Sequence, residues 1–69
     1  MEYLVILEKA ETNWAAYSPD VPGCIATGNT PEETLQEYQK ALQMHLKGMA
    51  EDGLPLPAPT AKAQYVKVS

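Results

Sequence analysis

The chain reads as an α+β domain of order β-β-β-α-β. Three short β-rich segments fill its first 28 residues, one long amphipathic stretch begins at Pro31, and a last β-rich segment follows a proline-punctuated link. A meander of three antiparallel strands and a right-handed crossover through the helix return the fourth strand beside the first and parallel to it. The predicted sheet is therefore four-stranded and mixed, in order 3-2-1-4, with one main helix packed on one face.

Tyr3-Leu4-Val5-Ile6-Leu7-Glu8-Lys9 is apolar at most positions and too short for a helix, which predicts a central strand covered on both faces. Glu11-Thr12-Asn13 is a polar turn, and Trp14-Ala15-Ala16-Tyr17-Ser18 completes a hairpin. In Tyr17-Ser18-Pro19-Asp20-Val21-Pro22-Gly23-Cys24 two prolines fix φ, Asp20 can bond nearby amides, and Gly23 can take a φ closed to other residues. This segment ends one strand and starts the next, Cys24 to Gly28. Thr30 is then a helix N-cap, with Pro31 at the first helical position and Glu33 placed for a capping box.

Leu35, Tyr38, Ala41, Leu42, His45, Leu46 and Met49 recur at helical steps and define a core face, and Glu51-Asp52-Gly53 supplies the stop. Leu54-Pro55-Leu56-Pro57-Ala58-Pro59 excludes helix and central strand, so it is an extended link to a last strand over Ala63–Val68.

Sixty-nine residues make a single domain, 1–69, with a small core. A half-covered sheet with apolar residues on its open side predicts a homodimer or higher homo-oligomer. One cysteine cannot form an internal disulfide, and the absence of a leader pattern points to a reducing cytoplasm. No apolar run approaches the length of a membrane span. Nine acids against five lysines, with no arginine, argue against direct nucleic-acid binding and for a basic protein partner.

Nothing in the chain assembles catalytic chemistry. His45 is the only histidine and belongs to no nucleophile motif; Cys24 reads as a buried small hydrophobe; Glu32 and Glu33 are explained by the helix start. There is no phosphate loop and no metal-ligand spacing, so no enzyme, cofactor or metal is expected. Trp14, Tyr17 and Asp20 are the candidate partner-binding residues. The two aromatics are hot-spot types that face opposite ways on one strand, and Asp20 sits in a stiff turn.

Asn13 to Tyr17, Pro19-Asp20-Val21-Pro22-Gly23-Cys24, Gly28-Asn29-Thr30-Pro31-Glu32-Glu33, and Glu51-Asp52-Gly53 through Pro57-Ala58-Pro59 together resemble the HicB family in its small N-terminal domain. Val21 stands where leucine is commoner and Thr34 where alanine is. The resemblance implies a partial, catalytically degenerate RNase H-like fold and an antitoxin that blocks HicA, a small basic mRNA-cleaving ribonuclease. The helix-turn-helix or ribbon-helix-helix domain that many HicB proteins carry after the fourth strand has no counterpart in these residues, so operator binding is not implied. The other reading is a stand-alone homo-oligomeric regulatory or scaffolding module with no toxin.

Overall fold

The computed structural model describes Met1–Ser69. Strands β1 (Ile6–Lys9), β2 (Trp14–Tyr17) and β3 (Ile25–Gly28) form an antiparallel sheet in order β1-β2-β3, and helix α1 spans Pro31–Glu51. Register is set by two tight connections. Ala10 N donates to Asn13 O at 2.8 Å to close the first hairpin, and Val21 N donates to Ser18 O at 3.2 Å inside the second turn. Leu7, Ala16 and Ala26 consequently lie in line across the three strands.

The expected four-stranded mixed sheet, order 3-2-1-4, does not form; the sheet has three strands, and β2 rather than the first strand is central. The ladder is also shorter than the apolar run, because Tyr3, Leu4 and Val5 precede β1 unpaired. The physical reason lies in where the returning chain goes. After the helix, Tyr3 Oη donates to Pro57 O at 2.6 Å, and the Asp20 carboxylate accepts from Ala61 N at 3.1 Å. These bonds tie residues 57–61 to the end of the sheet where β1 begins. None of the 32 backbone hydrogen bonds reaches residues 62–69, and Tyr65, Val66 and Val68 stand fully or largely exposed. High β-propensity describes a fit to a pleated surface, and the path of residues 57–61 does not lay the segment along the free edge of β1.

The helix begins at the expected cap and ends at the expected glycine, with the Thr30 half of the capping box formed and no return bond from the Glu33 carboxylate. Thr30 is extended (φ −132°, ψ 159°) and its Oγ1 accepts from Glu33 N at 3.0 Å, with Pro31 next in line. Thr34 Oγ1 donates to Thr30 O at 2.6 Å and tightens the same turn. At the other end Gly53 takes φ +72°, Gly53 N donates to Ala50 O and Leu54 N to Met49 O, a Schellman closure that satisfies two terminal carbonyls. Gly28 has a different task, since a Cβ there would lie 2.7 Å from Thr34 Oγ1, so its missing side chain lets the helix start press on β3.

Ala16, Val21, Cys24 and Tyr38 form the buried core, with Leu7, Ala26, Ala41 and Leu42 packed around them. The helix lies over β3 and β2 and only grazes β1. One side of the molecule is therefore closed and the side next to β1 is open.

Candidate partner-binding surface

The turn from Ser18 to Cys24 is held from inside. Ser18 is buried and its hydroxyl accepts from Asp20 N at 3.3 Å, Val21 is 1% exposed, and Gly23 takes φ +87°. Those bonds leave the Asp20 carboxylate pointing away from its own turn. It accepts from Thr60 Oγ1 at 3.2 Å and from Ala61 N through both oxygens, at 3.2 and 3.1 Å. Asp20 thus clamps the returning chain instead of capping its own turn. The partners lie 40 residues further on, beyond any local sequence signal.

Tyr17 lies at the same end of the sheet, on the face without the helix. There it is paired with Ile6 and Ile25, and Glu8 and Ala15 share the same face by strand alternation. The Glu8 carboxylate, followed by partial burial, raises the phenol's pKa above its ordinary value. Ile25 is 62% exposed, so this face presents aliphatic, phenolic and acidic groups together to solvent. Trp14 is at the opposite end of β2, beside Lys9 and Gly28, and shares Ala16's helix-side face. Tyr17 and Asp20 are therefore brought to one end, and Trp14 is not.

The residues with redox or acid–base potential are spent on packing. Cys24 is buried, and His45 is half-buried along a shallow groove with Gly23, Cys24, Ile25, Ala41 and Met44. Tyr38 is wholly buried with its hydroxyl unpaired, and burial, reinforced by the Cys24 thiol, pushes its pKa up to about 12. No group of three His, Cys, Asp or Glu side chains converges in a way that would hold a metal ion. No helix is long and apolar enough to cross a membrane.

A second apolar feature escaped the sequence reading. A groove of about 730 Å³ runs between the segment leading into β1 (Met1, Tyr3, Val5) and the helix (Leu35, Leu42, Leu46). The signal for it was present in the helix, whose apolar face is wider than three strands can cover.

Comparison with known proteins agrees with this architecture. The profile described as "HicB_like antitoxin of bacterial toxin-antitoxin system" matches residues 3–69. Antitoxin HicB 2 of Photorhabdus laumondii is 38% identical over 69 residues, covering 99% of this chain and 50% of that protein. An uncharacterised 14.9 kDa protein of Haemophilus phage HP1 is 35% identical over 96% of this chain and 50% of its own. The chain spans about half the length of these relatives. Among solved structures, a chain of the HicA3 and HicB3 toxin–antitoxin complex superposes with a TM-score of 0.69 at 26% identity, covering 86% of this chain and 72% of that one. With the profile matched along nearly its whole length, this chain belongs to the HicB-like antitoxin family.

Proposed function

We propose that the chain acts as an antitoxin module that binds and neutralises a small basic ribonuclease of the HicA type and performs no catalysis itself. The observation that carries this reading is the likeness of its fold to a chain of a complex named for HicA3 and HicB3. Charge supports it, since residues 1–53 hold all nine acids and only three of the lysines, a net −6 on the folded body. Such a surface steers a cationic partner and makes association salt-dependent. The contact is proposed to use Tyr17 on the open sheet face and the rigid turn at Asp20, with Trp14 contributing from the far end of β2.

Co-expression with a small basic HicA-type ribonuclease tests the proposal. A co-purifying complex, relief of growth arrest, and an association rate that falls as salt rises are expected. No complex and no relief refute it, and leave the homo-oligomeric module without a toxin. If the complex forms, Tyr17→Ala and Trp14→Ala should each weaken it about tenfold or more, as truncation of a hot-spot aromatic does; unchanged affinity removes that residue from the contact.

A further inference from the structure

We infer that the shallow groove between the turn into β3 and the helix is a site for a soft monovalent metal ion, Cu(I), held by the Cys24 thiolate, the His45 imidazole and the Met44 thioether. These three side chains line one hollow of about 430 Å³ together with Gly23, Ile25 and Ala41. The helix brings Ala41, Met44 and His45 to one side because they stand three and four residues apart, and the turn at Gly23, with φ +87°, brings Cys24 opposite them. Met44 is 75% exposed and adds little to the core, so its thioether is free to bind. Cys24 is buried in the core and still lines the groove, which gives its sulfur a path to an incoming ion.

A second, independent observation points to a ligand here. Tyr38 is wholly buried, its hydroxyl makes no well-formed hydrogen bond, and the Cys24 thiol is its neighbour. A donor buried without an acceptor calls for an explanation, and a bound ion is one of the few available. Binding supplies the acceptor: the Cys24 thiol gives its proton to solvent, the sulfur bonds to the ion, and the resulting thiolate accepts from the Tyr38 hydroxyl. No electron is transferred, and one proton leaves for each ion bound. The ligand set chooses the metal. Zinc(II) takes four nitrogen, sulfur or oxygen ligands, and no third His, Cys, Asp or Glu converges on Cys24 and His45. A thioether beside a thiolate selects Cu(I), which is satisfied by two or three ligands. The ion ties the helix to the turn that carries Asp20, so loading stabilises the fold by mass action.

The test uses the full chain, reduced and free of oxygen, titrated against the coloured Cu(I)–bicinchoninate complex, whose absorbance falls as the protein takes copper. One ion per chain is expected, with loss of the reactive thiol, shifts of the Met44 methyl and His45 ring resonances, and a higher thermal midpoint. Met44→Leu and His45→Gln lie outside the buried core and should keep the fold, and each should weaken Cu(I) binding by about tenfold or more. Tyr38→Phe should weaken it by about tenfold while stabilising the metal-free protein, a split that a purely structural role for the hydroxyl does not produce. Failure to draw Cu(I) from bicinchoninate overturns the inference. So does uptake that neither Met44→Leu nor His45→Gln weakens, which is an adventitious thiol adduct only. Unchanged affinity in Tyr38→Phe overturns the part given to its hydroxyl. Because no toxin is present, these outcomes are separate from the fate of the antitoxin proposal.

Discussion

Replacing Tyr38 with phenylalanine should stabilise this protein, which is unusual for a core substitution. The Tyr38 ring is wholly buried among Ala16, Val21 and Cys24, and its hydroxyl makes no well-formed hydrogen bond, although the Cys24 thiol and the Ser18 backbone are its polar neighbours. An unpaired buried donor costs roughly 1–3 kcal/mol, whereas the ring's own burial is kept in Tyr38→Phe. Allowing for the small void left by the oxygen, the expected gain is about 1 kcal/mol at neutral pH, or a rise in Tm of roughly 4–8 °C for a domain of this size. The variant carries a second, pH-dependent signature. The phenol's pKa is about 12 in the fold against 10.0 when unperturbed, so the native state holds the proton more tightly than the unfolded chain. Its contribution is complete below pH 10 and is lost as pH rises from 10 through about 12. Urea denaturation at fixed protein concentration, followed by circular dichroism at neutral pH and at several alkaline values, measures both effects. Tyr38→Phe should be the more stable protein at neutral pH and should lack most of the alkaline decline. Destabilisation by more than about 1 kcal/mol at neutral pH, with an alkaline decline like that of the parent, would refute the reasoning and show that the hydroxyl is paired in solution.

Two further substitutions probe how the helix is seated. Thr30→Ala removes the side-chain oxygen that accepts from Glu33 N and should cost about 1 kcal/mol, read as a lower urea midpoint at unchanged m-value; no change means the cap is not used in solution. Gly28→Ala forces a methyl to within 2.7 Å of Thr34 Oγ1 and should cost about 1–3 kcal/mol, with Thr34→Ala in the same chain recovering part of the loss; equal stability of Gly28→Ala and the parent would show that the helix start can retreat freely.

Local chemistry was what the sequence made legible. Thr30, Pro31, Gly23 and Gly53 each act through bonds or dihedral angles within a few residues, and each does what its residue type required. The alternation that set Tyr17 and Trp14 on opposite faces was equally readable, because it needs only the strand period. What was hidden depends on distant partners. Whether Ala63–Val68 pairs is decided by the path of residues 54–61, and that path is set by Tyr3 and Asp20 reaching across 54 and 41 positions of sequence. For the same reason Asp20 reads locally as a turn residue and acts as a clamp. The homology-level reading was legible for another cause: its motifs fall at the turns and helix ends that the structure uses, so spacing alone preserved them.

The sheet order β1-β2-β3 follows the chain, and the helix that comes next lies on the strands just before it, β3 most closely. Most contacts therefore join segments that are close along the polypeptide, while the helix also closes longer loops onto β2 and β1. A mixed topology of this kind has an intermediate contact order and folds at rates between those of helical bundles and all-β domains. Residues 1–53 can acquire their structure without waiting for anything after Gly53, and the proline-rich segment then settles onto a surface already in place. Mutations at Tyr3 or Asp20 that disturb that last step should accelerate unfolding of the tail while leaving the folding rate of the body nearly untouched.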